Sequence, residues 1–423
     1  MLKSHWPSII LFGFIGQLVW NIENLYFNTF LYNYIGGTTT DIATMVSLSA
    51  ITATVTTLFI GALSDKINRR KIFICVGTVL WGLSTLSFAF ISRENVALIM
   101  KNASIAQVTS VSVMIVIIMD CIMTFFGSGS NDGAFNSWVT DITDNTNRAK
   151  VEGVLSALPL IGMLVVVGAA GLLIEILGYE KFFFFLGTGV IICGLLGFVM
   201  IKESRNGQAS DQNYWASIVH GFKPSVIKEN KNLYRVLLAL AIFNIGIQIY
   251  MPYLVIYLDK YLGFTALEYS AALALGVIAS SIVGMSLGGK IDKYGIAKFI
   301  PYAFALYCIG LIVVYFSRSF TSLLILFPVV LIGNVLIAII LQSSIRKYTP
   351  EENTGLFQGI RMIAQVLLPM GIGPFIGNMV IKSSNETFIN EFNEIVAVPV
   401  PLIFLVGGLF SLLTLVPLLY KKD

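Results

Sequence analysis

Long apolar runs and short polar breaks alternate along the whole chain. A helix needs about 20 mostly apolar residues to cross the hydrocarbon of a bilayer. Twelve such windows fit, at roughly 8–34, 43–63, 72–91, 110–139, 154–175, 182–201, 233–258, 267–288, 298–317, 321–341, 355–381 and 396–420. The pattern predicts an all-α membrane protein with twelve transmembrane helices. The longest internal break, 202–232, is polar, basic and punctuated by Gly and Pro. It divides the chain six plus six, into an N-terminal bundle (1–201), a cytoplasmic linker (202–232) and a C-terminal bundle (233–423).

Composition narrows the class. The chain has 423 residues, 56% of them apolar and 12% charged, and a mean hydropathy of +0.83, far from a soluble globular protein. The net charge of +4 does not imply a nucleic-acid partner, because the basic residues lie in short runs between apolar segments. That arrangement speaks about topology. With both termini cytoplasmic, only Arg93, Lys101, Lys181, Lys260, Arg318 and Lys382 of the 27 Lys and Arg residues fall outside. The expectation is a multi-pass plasma-membrane protein, monomeric, with a retained first helix and a lipid bilayer around it. Cys75, Cys121, Cys193 and Cys308 are scattered through apolar segments, so neither a disulfide nor a metal site is expected, and no cofactor. The two histidines, His5 and His220, join no nucleophile or acid pair, and there is no P-loop. Neither an enzyme nor an ATP-driven pump is expected.

The stretch "TFFGSGSNDGAFNSWVTD", 124–141, is locally a loop by its Gly, Ser, Asn and Asp content. It also continues the apolar run "VMIVIIMDCIMTFF", which places Asp132 inside a hydrophobic layer.

The two halves repeat. "GALSDKINRRK" (61–71) and "GGKIDKYGIAK" (288–298) share Gly, then Asp four residues on, then Lys, then Asn68 or Gly295, at an offset of 227. Asn and Gly are the residues best tolerated in a left-handed turn. The same offset carries Gln17 to Asn244 and Asn21 to Gln248, so the first helix of each half bears two amides one turn apart. A second echo pairs "TDNTNRAKVEG" (143–153) with "TPEENTGLFQG" (349–359).

Twelve spans in two halves, with "GALSDKINRRK" after the second, resemble the major facilitator superfamily across the full chain. Within it, "DGAFNSWVTDIT" followed by "DNTNRAK" is similar to the helix IV segment of glycoside-pentoside-hexuronide cation symporters. That resemblance implies two pseudo-symmetric six-helix bundles working by alternating access. It also implies a role for Asp132 at the substrate and cation site, and a role for Asp65 with Arg69 and Arg70 in tying cytoplasmic helix ends together. Residues 43–63 depart from the group by carrying no acid, only Ser and Thr, and Asn136 stands where the group has an aromatic platform for the sugar.

Candidate chemistry follows from helix geometry. Gln17, Asn21, Asn24 and Asn28 fall within about a 60-degree stripe and line either a cavity or a helix interface. Amides donate and accept, which suits a hydroxyl-rich solute. The substrate-binding set is these four with Asp132, Asn136, Asn244, Gln248, Arg361 and Gln365. Arg361 either meets Asp132 across the cavity or snorkels to the cytoplasmic surface. Glu23 lies off the amide stripe, and ionised at depth it would cost about 2.5–3.5 kcal/mol, so it is protonated or paired with another helix. Asp120, three turns and more outward of Asp132, fits an outer vestibule. Coupling falls to Glu23, Asp120 and Asp132, with a proton or sodium as the ion. Gating falls to Gly61, Asp65, Arg69, Arg70, Gly288 and Asp292. The run "KFFFFL" (181–186) is expected to face lipid at the interface. Helix V offers only "PLIG" (159–162), short of the GPxxGG pattern of antiporters, which favours symport of a sugar or glycoside over efflux of amphipathic compounds; a transport-inactive sensor would be expected to carry a soluble output domain.

The topology is testable: a cysteine placed at residue 210 on a cysteine-free background should stay unlabelled by an impermeant reagent in intact cells and become labelled after permeabilisation.

Overall fold

The computed structural model describes residues 4–67, 69–143, 147–202, 222–294, 296–350 and 354–419. Its contacts divide the chain into two compact units, Met1–Tyr214 and Trp215–Asp423. Among the described residues, eleven helices are long and apolar enough to cross a membrane. The longest run, Arg148–Met200, breaks at Gly178, whose φ of 76° and ψ of 164° are non-helical, and its two limbs bring the number to twelve.

In the first unit α1 spans Trp6–Tyr34, α2 Thr39–Ile67, α3 Arg70–Ser87 and α4 Ile105–Ile142, while α5 and α6 are the limbs of Arg148–Met200 before and after Gly178. In the second, α7 spans Lys231–Tyr261, α8 Ala266–Tyr294, α9 Ile296–Phe316, α10 Phe320–Tyr348, α11 Gly359–Ser383 with a leading turn from Thr354, and α12 Leu402–Leu419. Short helices Arg93–Ile99 and Pro224–Glu229 lie outside this numbering. Hydrocarbon offers no partner for an exposed N–H or C=O, which is why the spans stay helical.

Among the described residues, the chain departs from the all-α expectation at one place. Thr387–Ile389 (β1) and Ile395–Ala397 (β2) pair antiparallel, with Phe388 opposite Val396. The β-branched residues favour strand, Asn390 Oδ1 accepts from the N–H groups of Phe392 (3.0 Å) and Glu394 (2.9 Å) to fold the turn, and Pro399 and Pro401 stop α12 from extending back to residue 396.

Small residues set the helix contacts. A Cβ at Gly187 of α6 would lie 2.5 Å from the Leu86 nitrogen of α3, and one at Gly82 would lie 2.6 Å from that of Ile191. In the second unit a Cβ at Gly333 of α10 would lie 2.6 Å from the Tyr307 nitrogen of α9. Such backbone-to-backbone approach is how helices associate where lipid removes the hydrophobic drive.

The repeat runs deeper than the motifs. The helices α2 and α8, each 29 residues, start and end at the 227-residue offset. Before α2, the Thr38 N–H donates to Asp41 Oδ2 (2.7 Å) and the Asp41 N–H to Thr38 Oγ1 (3.3 Å). Before α8, Thr265 and Glu268 make the same pair of bonds at 2.9 and 3.4 Å. These are capping boxes. The helices that precede them also end alike: Gly36 and Gly263 take φ of 81° and 70°, and Gly37 N–H to Leu31 O (2.8 Å) matches Phe264 N–H to Leu258 O (3.0 Å). Each bond spans six residues, one more than the usual Schellman closure around a left-handed glycine, because both helix ends are wound as π turns.

The "KFFFFL" run is not a uniform lipid anchor. Phe182 and Phe183 are buried, and Phe183 packs edge-to-face on Phe27 (4.9 Å) and Phe30 (5.0 Å), while Phe184 and Phe185 are exposed. A helix cannot turn four consecutive residues to one side.

Removing either cap tests the repeat. Thr38→Ala and Thr265→Ala should each cost about 1 kcal/mol, and the double variant should add the two within about 0.5 kcal/mol, as read from thermal unfolding of the purified protein.

Candidate transport site

The Gly/Ser/Asn/Asp stretch of α4 is helix, not loop. Ser128–Phe135 forms eight residues of π-helix between the α-helical segments Ile105–Gly127 and Asn136–Ile142. Widened turns of this kind recur at functional sites. Neighbouring helices seat it closely. Asn131 fills the notch at Gly16 of α1 and its Nδ2 donates to Phe12 O (3.1 Å). A Cβ at Gly77 of α3 would lie 2.7 Å from the Ser130 Cβ, and one at Gly133 would lie 3.2 Å from the Gly61 nitrogen of α2. Gly61 therefore lies within a helix, where a Cβ of its own would meet open space, and the close approach depends on Gly133.

Asp132 is half-buried, with Ser128 from its own helix and Trp20 from α1 as its polar neighbours. Trp20 packs on Trp81 of α3 at 5.0 Å, and both rings lie over Gly127, where a Cβ would sit 2.6 Å from Trp81 and 2.9 Å from Trp20.

A second acidic cluster lies along the same helices. Glu23 opens a π-helical segment of α1, Glu23–Phe27, and is 8% exposed. Its Oε1 accepts from the hydroxyls of Ser49 on α2 (2.8 Å) and Thr124 on α4 (3.2 Å), which are themselves 2.7 Å apart. Asp120 is 1% exposed and shares Ser49 with Glu23. It is a buried group, not one in an open vestibule. The side chains that pair with Glu23 from other helices are the hydroxyls of Ser49 and Thr124.

The amide stripe of α1 is partly self-satisfied. Asn21 Nδ2 donates to Gln17 O (2.8 Å), Asn24 Nδ2 to Trp20 O (2.8 Å) and Asn28 Nδ2 to Asn24 O (2.9 Å). Each asparagine thus turns an N–H back on its own helix and keeps its carbonyl free to accept. Helix α5 packs beside the stripe, a Cβ at Gly162 meeting Gln17 at 3.3 Å. In the second unit Asn244 and Gln248 are half-buried, and Gly373 of α11 approaches the Gln248 Cβ as Gly162 approaches Gln17. Arg361 donates to Gln342 of α10 (2.7 Å) and to Gln365 (3.3 Å), one turn on, so it is held by glutamines of its own unit. Asn136 and Gln365 are exposed.

The sequence profile of the Major Facilitator Superfamily matches residues 9–374 and, in a second match, 236–423. The chain belongs to the major facilitator superfamily. It is 22% identical over 303 residues to the quinolone resistance protein NorA of Staphylococcus aureus (strain MSSA476), covering 71% of this chain and 70% of that one. It is also 22% identical to multidrug resistance protein 2 of Bacillus subtilis (strain 168), over 59% of this chain and 58% of that one. Among solved structures, its fold is similar to that of a mutant of the nucleoside transporter NupG, with a TM-score of 0.73, 12% identity and 98% and 99% of the two chains covered. A bacterial homologue of the human lysosomal transporter Spinster follows at a TM-score of 0.64 and 14% identity, with 97% and 92% covered.

The transporter's loop motif is described only in part. The side chains of Asp65 and Asp292, and all of Asn68 and Gly295, lie outside the described residues; Gly288 sits within α8, and Arg69 is exposed. Arg70 is buried and pairs through Nε with Asp141 at the end of α4 (3.0 Å), while Nη1 donates to Ser64 of α2 (2.6 Å). Asp141 is not among the residues that the sequence singles out, although it follows Asp132 within the same motif. Ser49 and Thr124 escape notice too, because a hydroxyl in an apolar helix reads as ordinary until its partner is known. At the same end of the unit, His5 packs edge-on to Trp138 (5.6 Å). Burial and the nearby Lys202 charge lower the His5 imidazole pKa, which keeps it neutral at pH 7.

Gly127→Ala should overpack the Trp20–Trp81 floor by about 1–3 kcal/mol and change the intrinsic tryptophan emission, whereas Gly168→Ala, with open space for its Cβ, should change neither.

Proposed function

We propose that the chain is a cation-coupled secondary transporter of a polar organic solute, a sugar or glycoside, working by alternating access with the motif end of its helices in the cytoplasm. One observation carries this reading. Glu23, Asp120 and Asp132 lie in the membrane-spanning part of one unit, and among the described residues no basic side chain is bonded to any of them. Carboxylates kept at such depth without a partner cation mark ion and proton pathways. One positive charge moving down a potential of 100 mV releases about 2.3 kcal/mol, enough to concentrate a solute. The acceptor-rich α1 stripe and the Arg361–Gln365 pair supply groups that match hydroxyls.

A second reading, export of amphipathic compounds, is favoured by the resistance proteins among the relatives. The short "PLIG" of α5 points away from it.

Proteoliposomes separate the two. Uptake of a labelled sugar driven by an imposed inward proton or sodium gradient supports symport; gradient-driven extrusion of an amphipathic dye with no sugar uptake replaces it by export. In the symport case Asp132→Asn should abolish accumulation while Glu386→Gln, on the hairpin side, leaves it intact. Substrate affinity should fall by about 1.5–3 kcal/mol, the worth of a charge-assisted hydrogen bond. Accumulation that survives Asp132→Asn would remove the coupling role from this residue.

A further inference from the structure

We propose that Glu23, Ser49, Asp120 and Thr124 form a sodium-binding site, separate from Asp132. As a coupling site it rests on the reading above; as a binding site it does not. The three oxygens Glu23 Oε1, Ser49 Oγ and Thr124 Oγ1 close a triangle with edges of 2.8, 2.7 and 3.2 Å. The two hydroxyls carry two protons between them, one fewer than the three contacts need if Glu23 is ionised. A cation held against the oxygen lone pairs accounts for the third.

Two further oxygens point to a ligand. Glu23 Oε2 and Asp120 Oδ1 are buried and have no hydrogen-bond partner among the described residues. An orphaned buried carboxylate oxygen is costly, and it persists where something else satisfies it. Four side chains from α1, α2 and α4 thus meet around Ser49 with two carboxyl oxygens left unpartnered, more than a single proton engages. All are hard donors, suited to an alkali or alkaline-earth ion rather than a soft metal.

Charge and size select sodium. Among the described residues no group of three or more His, Cys, Asp or Glu side chains gathers as a metal site. Two neighbouring carboxyls at membrane depth resist both ionising, and the single negative charge they then carry is neutralised by a monovalent ion and overcompensated by a divalent one. Oxygens 2.7–3.2 Å apart crowd too closely to surround potassium and fit the shorter contacts of sodium. Helix α1 adds a π-helical turn that begins at Glu23, a geometry in which backbone carbonyls leave their usual partners.

The site has a built-in reporter, since Trp20 precedes Glu23 by three residues and packs on Trp81. The purified full-length protein is titrated with NaCl, KCl or choline chloride at constant ionic strength and pH, reading tryptophan emission and thermal unfolding. Sodium should give a saturable emission change and a rise in Tm that grows with the logarithm of its concentration, with potassium much weaker and choline silent. Both responses should vanish in Glu23→Gln and Asp120→Asn and persist in Asp132→Asn. Where an acidic variant fails to fold, Ser49→Ala and Thr124→Val should each shift the sodium midpoint upward. The proposal is overturned if sodium and choline act alike in the unaltered protein, including the case in which only pH moves the unfolding curve and the oxygens hold a proton. It is equally overturned if the sodium response survives in a folded Asp120→Asn protein or is lost in Asp132→Asn. Sodium binding without any sodium-driven uptake would leave this site standing and remove sodium as the coupling ion, while loss of uptake under both gradients removes the symport reading.

Discussion

Every backbone N–H and C=O at membrane depth must find its partner inside the protein, and the rest of this structure depends on that constraint. It explains why a stretch as loop-like as Ser128–Phe135 remains helical. In water its Gly, Ser, Asn and Asp residues would compete for the backbone and open a turn. In hydrocarbon the same residues widen the helix to a π turn and let its neighbours approach, α1 at Gly16, α3 at Gly77 and α2 against Gly133. The glycines of α4 and of its neighbours thus act together: they bring helices close enough for polar side chains to meet across them.

The same constraint governs the side chains. The asparagines of α1 return one N–H each to a carbonyl four residues back, which settles a donor that hydrocarbon would leave unpaired. Glu23 reaches Ser49 and Thr124 for the same reason, and Arg70 reaches Asp141 and Ser64. Truncating one partner of a buried pair costs more than the pair contributes, because the remaining charge stays behind.

The two units share a scaffold and differ in chemistry. Capping boxes, left-handed glycines and helix lengths recur at one offset, while the position of Glu23 in the first unit corresponds to Tyr250 in the second. Tyr250 meets the Tyr307 hydroxyl at 3.1 Å and is buried among aromatics. Among the described residues, Glu23, Asp120 and Asp132 lie in the spans of the first unit and Arg361 in a span of the second, an asymmetry of chemistry on a repeated backbone.

The sequence by itself determined the membrane, the twelve spans, the six-plus-six division and the repeat, because these depend on the length and composition of segments against a bilayer of given thickness. It also marked Asp132, Glu23, Asp120 and the amide stripe, since a polar group in an apolar run is visible without knowing its neighbours. It did not show that 128–135 is a π-helical turn, that residues 387–397 hold a hairpin, or that Phe183 faces inward while Phe185 faces out. Nor did it show that Glu23 and Asp120, 97 positions apart, share Ser49, or that Arg70 pairs with Asp141. Only the tertiary structure decided these, because which oxygens converge depends on helix rotation and on the depth at which glycines let one helix settle against the next.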